Sequence, residues 1–192
     1  MTIERGQGNL LTADVDAFVN TVNTEGVMGK GLALQVKRRF PEVFAEYLRA
    51  CKQGVVAIGR MQVVHRSTSP LFVINFPTKM HWRHPSKLEY IESGLADLVT
   101  QIRELGIRSI AIPPLGCGLG GLDWSEVKPR IIDALSSLPD VRVVLFEPDS
   151  SPSNAQIVES ARAALASTDG LSRDESINPA RAAVERTRSR KP

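Results

Sequence analysis

Apolar positions in the first 147 residues change period several times, and each change marks an element. Val15–Asn20 with Val22 is a short run rich in β-branched residues, the pattern of a strand. Gly31–Arg39 sets Leu32, Leu34 and Val36 among helix formers. A second helical segment follows Pro41, with Val43, Phe44, Tyr47 and Leu48 on one stripe and proline suited to a first helical position. Arg60–Arg66 and Leu71–Phe76 read as strands separated by a Ser/Thr/Pro turn. Ser86–Leu105 is the longest helical pattern: Leu88, Ile91, Leu95, Leu98, Val99 and Ile102 recur at helical spacing, and Gly106 ends it. Ser109–Ile112 and Val141–Phe146 are buried strands flanking a helix over Trp124–Leu138. Continuous apolar strands joined by helices need cover on both faces, which predicts an α/β fold in three layers.

Length and composition bound this picture. A chain of 192 residues holds one domain with an appendage. All ten aromatic residues precede Pro148, and the segment beyond it lacks the large apolar side chains a core needs. Residues 1–147 are therefore read as the domain and 148–192 as a linker or mostly mobile tail. Of the net charge of +3, seven basic and five acidic residues lie in 151–192, so the domain itself is nearly neutral and its total charge signals no basic stripe. Two cysteines, Cys51 and Cys117, exclude a disulfide framework and a four-cysteine zinc site. No apolar run reaches the roughly 20 residues of a membrane helix. The opening MTIERGQGN places an acid and glycines where a leader needs an apolar stretch. The expectation is a soluble cytoplasmic protein.

Three segments could carry chemistry. The first, Asn23–Gly31, is a glycine-bearing loop between a strand and a helix, where backbone N–H groups and a helix N-terminus favour a phosphate. It is not a P-loop, because Gly31 rather than Ser or Thr follows Lys30. The second, Pro113–Gly121, literally contains G-x-G-x-x-G. It sits in the last unit of the domain, though, with two prolines between strand and glycines, which argues against a dinucleotide fold and for a second loop approaching the same anion. The third, Phe76–Lys87, follows a buried strand and collects His81, Trp82, Arg83 and His84 with Lys79 and Lys87. His81 and His84 lack a Cys or carboxylate at ligand spacing, so no metal is expected. Arg and Trp suit phosphates and bases. Cys117 has no evident base beside it and reads as a small packed side chain. Asn20 and Asn23 flank a strand end, one suited to a turn and the other to a sugar hydroxyl.

Taken together, QGNLL at 7–11, VNTVNTEGVMGKG at 19–31, FPTKMHWR at 76–83 and PLGCGLGGLDW at 114–124 resemble a macrodomain. More narrowly they are similar to the macrodomains of DarG-type antitoxins, DNA ADP-ribosyl glycohydrolases that reverse thymidine modification by DarT-type toxins. That branch is related to the terminal ADP-ribose protein glycohydrolase. The resemblance implies a three-layer α/β/α fold with a mixed, largely parallel sheet and ADP-ribose across the strand ends. Asn9 and Leu10 would lie near adenine and its ribose. Gly26, Val27, Met28, Gly29, Lys30 and Gly31 would hold the pyrophosphate together with Gly116, Cys117, Gly118, Leu119, Gly120 and Gly121. Asn23 would meet the distal ribose, with Asn20 and Thr78 completing the ligand-binding set. Lys79 matches the family's catalytic lysine, acting as a nucleophile or electrostatically. His81, Trp82, Arg83, His84 and Lys87 would contact DNA. No cofactor is implied.

The chain departs from the pattern in three places. Asn9 stands where many macrodomains have an acid, Gly120 where the terminal glycohydrolase has one, and a toxin-sequestering second domain is at most begun at Asn178–Ala183. ADP-ribose and ADP-ribosylated DNA are the expected ligands, with a DarT-type toxin as the partner of a complete antitoxin. A non-catalytic ADP-ribose reader and an ADP-ribosyl-protein hydrolase remain open alternatives.

Overall fold

The computed structural model describes residues 1–148, so all but the first residue of the expected tail lies outside the described residues. Six strands form one sheet: β1 (Thr2–Arg5), β2 (Ala17–Asn23), β3 (Gln62–His65), β4 (Phe72–Lys79), β5 (Ser109–Ile112) and β6 (Arg142–Leu145), in the order β1-β6-β5-β2-β4-β3. Every pairing is parallel except β3 with β4. Four helices cover it: α1 (Gly31–Arg39), α2 (Pro41–Lys52), α3 (Leu88–Glu104) and α4 (Trp124–Leu135).

Alternation along each strand sorts the core into two layers. Ala17, Val19, Ile74, Phe76, Ile110, Ile112, Val143 and Leu145 face the apolar stripes of α3 and α4. The residues between them, Phe18, Val73, Ala111 and Val144, face Val36 of α1, Val43 of α2 and the intervening Phe40. Packing under α3 is close: a β-carbon at Gly94 would stand 2.2 Å from the Phe76 ring. A third cluster, Val22, Met28, Ala33, Tyr47 and Val56, supports the first glycine loop from beneath.

Two strands differ from their expected bounds in ways that matter. β1 has no apolar pattern, because all four of its residues are exposed at the sheet edge; its backbone pairing with β6 makes it a strand. β4 continues three residues past Phe76. Pro77 is tolerated there because β3 pairs only with Phe72–Asn75, leaving that edge of β4 open beyond it. Lys79 is consequently the last residue of a strand rather than part of a loop.

The sheet order also creates a crevice. β2 and β5 are neighbours, yet the chain leaves β2 toward α1 on one face and leaves β5 toward α4 on the other. Open α/β sheets bind ligands at the carboxyl ends of strands where connections diverge in this way.

Candidate functional site

The two glycine loops flank that crevice and touch: a β-carbon at Gly31 would lie 3.7 Å from Leu119 Cδ1. The helix behind each loop begins differently. No side chain caps the N-terminus of α1 at Lys30, whereas Asp123 caps α4, its carboxylate accepting from Ser125 N at 2.8 Å. That hydrogen bonding holds the Asp123 carboxyl below its ordinary range. An anion is therefore favoured at the α1 end and repelled by the charge already present at α4.

Lys79 lies across the mouth. β4 and β5 are separated by β2, and Lys79 is in register with Asn23 at the end of β2. Its Nζ donates to the carbonyl of Leu119 in the second loop. Partial burial lowers the lysine pKa from its ordinary value, and no carboxylate pairs with it among the described residues. The second loop is itself pinned from the β4 side, Ser86 N donating to Gly120 O at 2.9 Å.

The first loop is organised by Asn23. Its Oδ1 accepts from Glu25 N at 2.9 Å and Val27 N at 3.3 Å, and its Nδ2 donates to Val27 O at 2.6 Å. Beneath it the fully buried Tyr47 hydroxyl donates to the Asn23 carbonyl at 2.7 Å. Burial pushes the Tyr47 pKa far up, so the phenol stays a donor. Tyr47→Phe strands that buried carbonyl and is expected to cost about 1–3 kcal/mol, about 2–4 °C of Tm per kcal/mol. Thermal denaturation would read the loss.

The segment after Lys79 is tied to the same loop. Thr24 Oγ1 donates to Met80 O at 2.7 Å, and His81 Nε2 faces Glu25 Oε2 at 3.3 Å. Because His81 Nδ1 accepts from Arg83 N at 3.1 Å, the proton of the neutral ring sits on Nε2 and points at Glu25. His81 stacks on Trp82 at 5.5 Å between centroids, and the Arg83 guanidinium lies 4.4 Å from the Trp82 ring. Lys87 pairs with Glu89 at 3.5 Å. Within Met80–Lys87, Arg83 is the exposed cation left without a carboxylate partner among the described residues, and His84 is exposed beside it.

This geometry can be set beside known proteins. A model described as the Macro domain matches residues 19–131. The chain belongs to the macrodomain family. It is 54% identical over 162 residues to a DNA ADP-ribosyl glycohydrolase of Mycobacterium tuberculosis, a match covering 83% of this chain and 46% of that protein. This macrodomain thus spans about half the length of the curated relative it matches. Among solved structures it is similar to the macrodomain of Mycobacterium tuberculosis DarG, with a TM-score of 0.76 and 57% identity over 77% of this chain and 99% of that one. It is also similar to Thermosipho africanus DarTG in complex with ADP-ribose, with a TM-score of 0.73, 34% identity, and coverage of 81% and 44%.

Not every residue expected at the macrodomain's ligand faces the crevice as a free group. Asn20 is fully buried, its Nδ2 donating to Asn75 Oδ1 at 2.8 Å and Asn75 Nδ2 to Gln62 Oε1 at 2.5 Å, an amide row across three strands. Asn9 caps a short 3-10 turn over Leu10–Thr12, its Oδ1 accepting from Leu11 N at 2.9 Å, and Leu10 is buried. Thr78 is buried against β2. Cys117 is buried, and desolvation pushes its thiol up to about 12, so it stays protonated. Sequence reading missed Tyr47, which looked like one more apolar stripe position, and Glu25 and Ser86, whose partners are remote in the chain.

Proposed function

We propose that this macrodomain hydrolyses the glycosidic bond joining ADP-ribose to a base in DNA, with thymine as the base and Lys79 as the catalytic residue. The observation that carries the reading is Lys79 itself: a partly buried amine at the end of β4, spanning the mouth of the crevice to Leu119. The pyrophosphate lies between the uncapped α1 N-terminus and the loop over Gly116–Gly121. Adenine lies toward Asn9 and Leu10, and the distal ribose toward Asn23 and Lys79. Positive charge builds at the anomeric carbon as a glycosidic bond breaks. A lysine without a carboxylate partner and with a lowered pKa presents more neutral amine there, which suits attack at that carbon. The bond to the base breaks as the bond to Nζ forms, the base takes the proton the amine loses, and water then cleaves the bond to Nζ and returns a proton to it. A base inside a duplex could not reach an amine held at the end of a central strand, so the target nucleotide is unpaired or extruded.

The names of the relatives support the same chemistry, and the DarTG of Thermosipho africanus supports a DarT-type toxin as the partner of the longer protein. The experiment is a comparison of substrates: release of ADP-ribose from a modified single-stranded oligonucleotide, from modified protein, and binding of free ADP-ribose. Turnover of the oligonucleotide alone is the expected result. Tight ADP-ribose binding with no turnover would make the domain a reader, and turnover confined to protein would move it to the protein hydrolases.

The segment Met80–Lys87 contributes the DNA contact, through Arg83 and His84 more than through His81 or Lys87, which are held by Glu25 and Glu89. Arg83→Gln with His84→Gln is expected to raise KM for the oligonucleotide and flatten its salt dependence, leaving free ADP-ribose affinity unchanged. An equal loss for both ligands would remove these residues from the DNA surface.

A further inference from the structure

The two helical layers carry opposite charge, although the domain is nearly neutral as a whole. α1 and α2 together hold five cations and two carboxylates; α3 and α4 hold three cations and six carboxylates. Pairing sharpens the contrast. On the α3/α4 layer Arg130 meets Glu92 at 2.7 Å and Lys128 meets Glu147 at 2.6 Å. On the other layer Glu42 is turned to Arg66 at 3.0 Å. Lys37, Arg38, Arg49 and Lys52 are exposed and have no carboxylate partner among the described residues.

Position makes this more than a charge count. α1 starts at the crevice with Gly31 and runs away from it, so Lys37 and Arg38 stand about 9–11 Å along the helix axis. α2 returns toward the crevice: a β-carbon at Gly26 would lie 2.8 Å from Leu48 Cδ1 and 3.5 Å from Cys51 Cβ, which places Arg49 and Lys52 beside the first glycine loop. α1 and α2 cover the same face of the sheet, so Arg49 and Lys52 form a pair near the site and Lys37 and Arg38 a pair farther from it, with Lys37 lying over the Phe44 ring and Arg39 over Phe40.

We propose that the α1/α2 face is a track for the sugar–phosphate backbone of the strand whose modified nucleotide occupies the crevice. Arg49 and Lys52 take the phosphates next to it, and Lys37 and Arg38 those further along. The acidic α3/α4 layer disfavours the opposite path. This rests on the function proposed above and adds to it the kind of partner surface and the direction in which the strand leaves. An unpaired strand follows such a face without sequence preference, since phosphate contacts carry no base information.

The test compares Arg49→Gln/Lys52→Gln and Lys37→Gln/Arg38→Gln with the unaltered protein on an ADP-ribosylated mononucleotide, a short oligonucleotide and a long one. Neither double variant changes KM for the mononucleotide. The near pair raises KM several-fold for both oligonucleotides, and the far pair raises it for the long one alone. Each double variant lowers the log–log salt slope by about 1.4, at roughly 0.7 per phosphate contact. Glu104→Lys/Asp133→Lys, adding positive charge on the opposite layer, leaves oligonucleotide KM unaltered; a tightening there would mean that net charge alone matters and would overturn the track. Unchanged KM and slope in both double variants would overturn it too, as for a face that serves an acidic protein instead. If the unaltered protein cleaves none of the three substrates, the proposed function fails separately. Salt-dependent binding of an unmodified long oligonucleotide then still reads the face: weaker binding in both double variants supports the track, and unchanged binding overturns it.

Discussion

Lys79→Ala is expected to lower turnover of an ADP-ribosylated oligonucleotide by about a hundred- to ten-thousand-fold, the range removed with a group that acts in the transition state. ADP-ribose binding should stay close to that of the unaltered protein. The separation is expected because the proposed pyrophosphate site uses the α1 N-terminus and the two glycine loops, while Lys79 contributes one amine at their edge. Calorimetry with free ADP-ribose and a turnover assay on the same preparation read the two quantities independently. The pH dependence follows from the same burial. A lysine pKa lowered by desolvation means the neutral amine becomes abundant at lower pH than for an exposed lysine. The rate should therefore rise with pH through a midpoint below the ordinary lysine value and then level off. A rate that falls as pH rises through that midpoint would show that the protonated form is required. Lys79→Arg should not rescue turnover, since a guanidinium remains charged throughout.

The second large effect belongs to Gly120. A β-carbon there would stand 2.2 Å from the Gly116 carbonyl oxygen and 2.3 Å from Ser86 Oγ, distances no packed structure accepts. The loop cannot easily give way. Gly116 O already accepts from Leu122 N at 3.1 Å, and Gly120 O from Ser86 N at 2.9 Å. Gly120→Ala is expected to lose about 1–3 kcal/mol of stability, about 2–4 °C of Tm per kcal/mol. ADP-ribose affinity should fall by at least about tenfold, or 1.4 kcal/mol. Gly118→Ala is the control for stability, because nothing lies within 4 Å of its β-carbon position, and it should leave Tm near its starting value. The same geometry decides what an acid at position 120 would do. Gly120→Asp should fail for steric reasons before its carboxylate can act, so the mechanism proposed for Lys79 uses no acid at that place. Gain of activity in Gly120→Asp would show that the loop adapts and would refute the steric account.

Legibility of the fold varied with how local each element's cause is. α3 was readable because Ile91, Leu95, Leu98 and Ile102 alternate at helical spacing and bury one face. β1 was not, because an edge strand with four exposed residues owes its existence to β6, more than a hundred residues away in the chain. At the site, the lysine and both glycine loops were visible as motifs. Asn20 looked like a ligand group; the structure sets its Nδ2 in an internal amide row with Asn75, itself bonded to Gln62, and these residues come from other strands. Charge was misleading in a similar way. A near-neutral total hid two layers of opposite sign, because a sum over residues carries no information about which face each one occupies.

By itself the amino-acid sequence determined the periods of the elements, hence a sheet covered on both faces. It also placed flexible glycines at the ends of two strands and a lysine at the end of a third. These follow from backbone geometry and side-chain volume within a few residues. Tertiary structure alone decided that β2 and β5 lie side by side with their connections diverging, that Lys79 crosses the end of β2 to reach Leu119, and that the cation-rich α1 and α2 cover the same face of the sheet. Strand order and helix side are set by pairing and burial between segments far apart in the chain. No local propensity encodes which neighbour a strand takes.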